Sequence, residues 1–536
     1  MQVNPKLRTM LERHWTQALV VGLVAFSVCA TCSALRWPTP SIHDEFSYLL
    51  AADTFAEGRL TNPTHPLWQH FETFHVIHEP SYASKYPPGQ GLFLALGQKL
   101  AGQPIVGVWI LSGLAAAACY WMLLGWLPVR WAIVGAFLFA VHPGYQIIWG
   151  QSYWGGTLAF LGGALVFGAV ARMRARPKVR DAIAMSVGAI LLAISRPYEG
   201  FIFCLIAGAA VIVDWVRHGL PPWRLLVCRV VLPQMFVFLM GGACLLVHNQ
   251  AVTGDWRKLP YQVHEKTYGL SPCFLWKEPR LEKEYRHLEM TTFHHGWEME
   301  SYYKQSTLAG LIDTKLKLFW YSWRHFFPLP LMASLVFMPL CRYRHKWTVL
   351  AVASAGWLPS MVTVWNFPHY VASVAPALMV LVLLGLRQIN RLGKKHLDQP
   401  RLALLLVACQ IAFFAICVVG YVTTPQASWQ WQRAALAEQL EETDGRHLVL
   451  VHYHVDHNPH QEWVYNRADI DNSKVVWARP MGPSNVPQLL EYFDNRTVWL
   501  LDADAAKPQL APYLESAAGE KLSAALSNKK LHTHTD

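Results

Sequence analysis

About eleven runs of roughly 15 to 22 apolar residues divide this sequence, and a run of that length is what an α-helix needs to cross a bilayer. They fall near 17–36, 104–124, 130–146, 156–171, 182–195, 200–216, 230–247, 327–341, 347–364, 370–386 and 402–423. Backbone inside lipid must satisfy its own hydrogen bonds, so the runs predict a mainly α, polytopic helical bundle. Composition agrees: of 536 residues, 53% are hydrophobic and 15% charged, too apolar a balance for an ordinary soluble chain.

The formal net charge of +11 is spread over short clusters between the runs, which argues against a nucleic-acid partner. Lys6, Arg8 and Arg13 precede the first run, "RMRARPKVR" (172–180) follows the fourth, "CRYRHK" (341–346) the eighth and "LRQINRLGKK" (386–395) the tenth. Alternation puts all of these on one face, which the positive-inside rule makes the cytoplasm. The opposite, exported face then receives 37–103, 248–326 and everything after about 424, including the C-terminus.

The first run is read as a retained anchor, because its apolar core exceeds a usual signal-peptide core even though "CATCSA" (29–34) ends it. Of the ten cysteines only Cys273 lies in an exported segment, so no disulfide framework is expected, and Cys29 and Cys32 read as buried small residues.

Three exported pieces differ in character. In 37–103, six acids (Asp44, Glu45, Asp53, Glu57, Glu72, Glu79) face three bases (Arg59, Lys85, Lys99). "FSYLLAADTFAEG" and "GQGLFLALGQKLAG" have helical apolar spacing and predict short helices lying along the membrane surface. The 248–326 piece is too long for a mere connection and reads as a lid or substrate platform. From 425 to 536 the chain reads as a small soluble α/β domain, distinct from the membrane domain 1–424. Strands are expected in "HLVLVHY" (447–453), "KVVWARP" (474–480) and "TVWLLDAD" (497–504), with a helix in "NVPQLLEYF" (485–493). The tail "SNKKLHTHTD" reads as disordered.

The acidic pair Asp44 and Glu45, just past the first run, has two readings. It can favour the N-terminus of a helix that Ser41 or Asp44 caps. It can also serve as a general base at the boundary of lipid and water, taking a proton from an incoming hydroxyl. The two are compatible.

An acidic residue after the first run, a long first exported loop ending in "KYPPGQG" (85–91), many spans and an exported C-terminal domain together resemble the GT-C glycosyltransferases. More narrowly the chain resembles the bacterial branch related to protein mannosyltransferases, the aminoarabinose transferase of lipid A and the RgtA/B/C/D group. The resemblance implies Asp44 as catalytic base with Glu45 as the neighbour that could substitute. It implies Lys85 at the donor phosphate, and "HY" (369–370) as the late exported motif, making His369 and Tyr370 donor-site candidates. It further implies a sugar donor carried on polyprenyl phosphate, a glycan, lipid or protein acceptor, and residence in a bacterial inner membrane.

A departing phosphate calls for cations. Lys85, Arg196 in "SRPYEG", Arg257 in "TGDWRKLPY" and His369 lie on the exported rim, and the planar guanidinium of Arg196 suits phosphate best. Arg196 could equally pair with Glu199 or snorkel to headgroups. Tyr153 and Trp154 in "GQSYWGG" (150–156), with Tyr261, could stack on a sugar, or could belong to the aromatic belt of any membrane protein.

No cofactor is required by these motifs. Mg²⁺ or Mn²⁺ is left open by the resemblance. "DAD" (502–504) reads as a strand-end turn rather than a metal-nucleotide motif. The histidines of "HYHVDHNPH" (452–460) meet no fixed metal spacing. Two rivals stay open: a transporter or flippase of lipid-linked glycans, and a glycan ligase or polymerase. Transporters usually carry charges or broken helices within their spans, and here the spans carry almost none.

Overall fold

Every apolar run becomes helical, but only some reach spanning length. In the computed structural model, which describes residues 5–280, 283–396, 402–482 and 484–513, seven helices are long and apolar enough to cross a membrane: Arg13–Leu35, Ile105–Trp126, Thr157–Ala175, Pro197–His218, Trp223–Thr253, Ala372–His396 and Leu402–Thr423. The protein is a multi-pass, mainly α-helical membrane protein with a small α/β region near its C-terminus. The tail "SNKKLHTHTD" lies outside the described residues.

Four expected spans come out short: Val129–Ala140, Val179–Ala193, Leu329–Leu340, and Lys346–Ala355 followed by Leu358–Met361. Hydropathy adds up residue types, whereas helix length is set by the backbone. At 130–146 the α-helix stops before His142-Pro143, where proline disfavours helical geometry in the residue ahead of it. Small residues let the central helices approach closely. A Cβ on Gly188 would stand 2.6 Å from the carbonyl oxygen of Gly162, joining Val179–Ala193 to Thr157–Ala175.

The two ends of the bundle differ as the charge pattern predicts. At one end the basic clusters meet: Arg174 bonds Asp214 at 2.6 Å and reaches His345 at 2.9 Å, and the Tyr343 hydroxyl donates to the Trp126 carbonyl at 2.6 Å. At the other end the three long segments fold on one another.

Within 37–103 the helices His43–Ala56 and Gly89–Ala101 form where expected. Gly89–Ala101 leaves Leu92, Leu96 and Leu100 exposed on one stripe, as an interfacial helix does. His43–Ala56 departs from that expectation. It buries Phe46, Tyr48, Leu50 and Ala52 because the chain around it and the C-terminal region close over it, Phe46 stacking on Tyr465 at 4.3 Å.

The 248–326 segment supplies Pro260–Thr267, a helical stretch over 288–303 and Leu308–Phe326, whose exposed Leu308, Ile312, Leu316 and Trp320 form a second apolar stripe.

The C-terminal sheet runs Val475–Ala478, His447–His452, Thr497–Asp502, Leu510–Pro512 across its width, with the first three strands parallel and the last antiparallel. Helix Val486–Tyr492 makes the crossover between the two strands flanking the central one. Both faces are covered, which explains the near-continuous apolar run of the central strand. Val449 and Val451 pack toward Leu440 of helix Trp429–Glu442, while Leu448 and Leu450 pack with Phe46, Phe71 and Tyr82 of the 37–103 segment. The sheet and the 37–103 segment therefore share one hydrophobic core.

Candidate active site

The first turn of helix His43–Ala56 holds both acids, and the fold gives them opposite environments. Glu45 is 2% exposed. Its Oε2 accepts from the Ser41 N–H at 2.7 Å and the Ser41 hydroxyl at 3.2 Å, and its Oε1 accepts from the Tyr153 N–H at 2.9 Å. Burial pushes this carboxyl up to about 7, against the pull of those hydrogen bonds. With both oxygens occupied, Glu45 ties the helix start to the 150–156 loop and does not stand ready as a substitute base or nucleophile.

A pH test follows from this raised pKa. The stability Glu45 contributes is complete below pH 4.5 and is lost as pH climbs through about 7. Glu45→Gln should flatten that fall in a thermal-melting series across pH, and turnover per folded molecule should persist.

Asp44 is open where Glu45 is closed: its side chain is 25% exposed. The Tyr86 hydroxyl donates to Oδ1 at 2.6 Å, and His75 Nε2 stands 3.8 Å from Oδ2, so among the described residues Oδ2 makes no hydrogen bond. A small hairpin builds this arrangement. Strands Val76–Ile77 and Ala83–Ser84 pair with Val76 opposite Ser84, so the next pair outward is His75 and Lys85, joined by the Lys85 N–H to the His75 carbonyl at 3.2 Å. Ser47 fixes the hairpin to the helix, its hydroxyl donating to the His75 carbonyl at 2.7 Å and meeting the Ser84 hydroxyl at 2.7 Å.

His75 has a left-handed backbone, φ 62°, uncommon for a residue with a side chain and held here by those bonds. Burial, and then the charge of Lys85, lower its pKa well below the ordinary value, so the imidazole is neutral.

Two cations belong to the same cluster, Lys85 acting on Asp44 itself and Arg196 on Tyr48, Tyr86 and Tyr370, which Asp44 also influences. Lys85 is buried, with Nζ 5.1 Å from the Tyr261 ring centroid and 5.4 Å from that of Tyr86. Burial lowers its pKa, while Glu265, Asp44 and Glu298 act in the opposite sense. Arg196, at the start of helix Pro197–His218, lies 4.4 Å over the Tyr370 ring, and Glu199 acts on its charge from the same turn. Tyr370 feels both Arg196 and Asp44, which links the two sides of the site. His369 is buried, packs its ring 4.1 Å from Trp154, and is kept neutral by burial and then by Arg196.

Asp44, Lys85, Arg196, Tyr261, His369 and Tyr370 thus gather from five separate stretches of sequence, with half-buried Trp154 against His369. Tyr153 does not join as a sugar platform. Its ring is buried, its N–H serves Glu45, and its hydroxyl donates to the Pro38 carbonyl at 3.1 Å. Arg257 is exposed, its guanidinium 4.7 Å over Trp256 and its N–H bonded to Asp255, contacts that belong to the surface turn after Thr253.

Tyr86, His75, Tyr48 and Glu265 were not singled out in the sequence. Tyr86, which stacks on Tyr48 at 4.6 Å, sits inside "KYPPGQG" and could have been taken with Lys85. His75 had no such signal.

Mg²⁺ and Mn²⁺ favour oxygen ligands. The groups around Asp44 are a phenol, a neutral imidazole and a buried ammonium, a donor set that does not fit such an ion, and no step below runs through one.

No family model matches the chain, and no curated protein matches it. Among solved structures it is similar to ArnT from Cupriavidus metallidurans bound to undecaprenyl phosphate, at 13% identity and TM-score 0.49, over 92% of this chain and 93% of that one. It is also similar to the Archaeoglobus fulgidus oligosaccharyltransferase in complex with zinc and sulfate, at 12% identity and TM-score 0.42, over 90% of this chain and 67% of that one.

Proposed function

We propose that this protein is a membrane glycosyltransferase that moves a sugar from a polyprenyl-phosphate donor to a cell-envelope acceptor, with Asp44 as general base. One observation carries the reading: a partly exposed carboxylate, Asp44, shares one cluster with two cations, Lys85 and, through Tyr370, Arg196, at the end of the bundle opposite the basic clusters. A glycosyl transfer from a lipid phosphate needs these charges in this order, a base for the incoming hydroxyl and positive charge for the departing phosphate.

In the reaction, Asp44 Oδ2 takes the proton of an acceptor hydroxyl as its oxygen attacks the anomeric carbon. The bond from that carbon to the phosphate oxygen breaks, and polyprenyl phosphate leaves toward Lys85 and Arg196. Tyr86 holds the other carboxylate oxygen and fixes the direction of Oδ2. Because Glu45 has no free oxygen, a single displacement with inversion at the anomeric carbon is the favoured course. The compartment proposed is the exported face of a bacterial plasma membrane, with the N-terminus in the cytoplasm. The chain beyond Thr423 would form a domain that holds the 37–103 segment over the site.

The reading is tested with purified protein in lipid and a panel of polyprenyl-phosphate sugars, polyprenyl phosphate release being the readout. Release from at least one donor supports it; release from none overturns it. In the same assay Lys85→Met should slow turnover by about 100-fold, the size expected when a preorganised charge is removed from a developing anion. Arg257→Gln, at the surface turn, should leave turnover near wild type.

A further inference from the structure

A second constellation of ligating groups lies in the C-terminal sheet and takes no part in the reaction above. Strands His447–His452 and Thr497–Asp502 are neighbours, parallel and in register, with His452 opposite Asp502. Both end at the same edge, and the pairing runs one step further through the Ala503 N–H to the His452 carbonyl at 3.0 Å. Two residues on, the alternation of an extended chain returns His454 to the side of His452, with ring centroids 5.8 Å apart. Its Nε2 stands 3.0 Å from Asp502 Oδ2. One ligand atom from each of His452, His454 and Asp502 lies within 4.8 Å of the others.

A surrounding layer fixes these groups. The Asp504 N–H donates to Asp502 Oδ1 at 3.1 Å, Asp504 Oδ2 accepts from the His454 N–H at 2.8 Å, and Asp504 Oδ1 meets His457 Nδ1 at 2.7 Å. One residue therefore orients two of the ligands, the Asp504 N–H holding the Asp502 side chain and the Asp504 carboxylate holding the backbone of His454, as outer-shell groups do around metals. The side chains of His454 and Asp502 are 43% and 46% exposed, so water has access to a remaining coordination position.

The geometry points to a divalent transition-metal site formed by His452, His454 and Asp502, with Zn²⁺ as the fitting ion. Two imidazoles and one carboxylate suit zinc and its late first-row neighbours, whereas Mg²⁺ and Ca²⁺ take oxygen ligands. Bonds of about 2.0 to 2.1 Å in a tetrahedral site bring ligand atoms to about 3.3 Å apart. Rotation of the two exposed side chains supplies that closure.

The site also stands at the root of the segment that reaches the active-site helix. His43 Nε2 bonds the Pro459 carbonyl at 2.8 Å, and His460 stacks on His43 at 5.8 Å, next to Asp44. A bound ion would pin the start of that segment to the sheet.

The test uses the full-length protein, free of any affinity tag and stripped with chelator, titrated with zinc chloride by calorimetry and by thermal melting. One Zn²⁺ per chain is expected, with a rise in melting temperature that millimolar Mg²⁺ does not reproduce. Asp502→Asn, which keeps the side-chain shape, and His454→Ala should each weaken binding at least about tenfold, and Asp504→Asn by about 10- to 100-fold. Absence of saturable binding by the wild type overturns the proposal. So does binding that survives both Asp502→Asn and His454→Ala, or binding lost only when the tail histidines His532 and His534 are replaced.

Discussion

Replacing Asp44 by asparagine is expected to lower turnover by about 100-fold or more and to leave the protein folded. Asparagine has the same shape, and its carbonyl oxygen can still accept the Tyr86 hydroxyl now held at 2.6 Å. What it loses is the capacity to take a proton at the second oxygen. Its other terminal atom becomes an amide donor facing the position from which the acceptor hydroxyl would approach. Donor affinity, which rests on Lys85 and Arg196 in the proposed reaction, should change little, so the loss appears in kcat with KM for the donor nearly kept. Wild-type turnover from the variant would return Asp44 to a helix-terminus role.

The largest effect on stability is expected at Arg479. Its guanidinium bonds the Glu462 carboxylate and the Glu72 carbonyl, its Nε lies 3.7 Å from Glu289, and its N–H donates to the His70 carbonyl at 2.9 Å. One side chain thus joins the C-terminal sheet, the 37–103 segment and the 248–326 segment. Both ends of the pair with Glu462 are buried, at 3% and 0% side-chain exposure.

Arg479→Met would leave Glu462 as a buried charge without its cation, a loss of about 3 to 5 kcal/mol by analogy with broken buried pairs. The double variant Arg479→Met/Glu462→Gln should recover part of it, because removing both charges removes the burial penalty. Chemical denaturation monitored by tryptophan fluorescence would measure both. Equal stability of Arg479→Met and wild type would show that these segments are held by their shared apolar core alone.

Much of this organisation was legible because it rests on composition. Apolar runs announce helices, basic clusters announce one end of the bundle, and "HLVLVHY" announces a buried strand through its lack of alternation. What composition could not reveal was length and availability. The helix at 130–146 stops short at His142-Pro143, and 347–364 breaks at Gly356, backbone events to which hydropathy is blind.

Of the adjacent acids Asp44 and Glu45, only the fold shows that Glu45 is spent on Ser41 and Tyr153 while the Asp44 side chain stays 25% exposed. Tyr153 and Trp154 are adjacent too, yet the first is consumed as structure and the second lines the site. His75 was invisible for a different reason. Its place beside Asp44 is set by hairpin register and a left-handed backbone, neither of which a residue type encodes.

The most direct test of the central claim places wild-type protein in sealed liposomes with a polyprenyl-phosphate sugar and an envelope-glycan acceptor extract. Polyprenyl phosphate release and movement of intact donor across the bilayer are followed together, beside Asp44→Asn. Glycosyl transfer with Asp44 as base predicts release by the wild type, its loss in the variant, and no protein-dependent movement of intact donor. Movement of intact donor without release, unchanged in Asp44→Asn, would contradict it and identify a flippase.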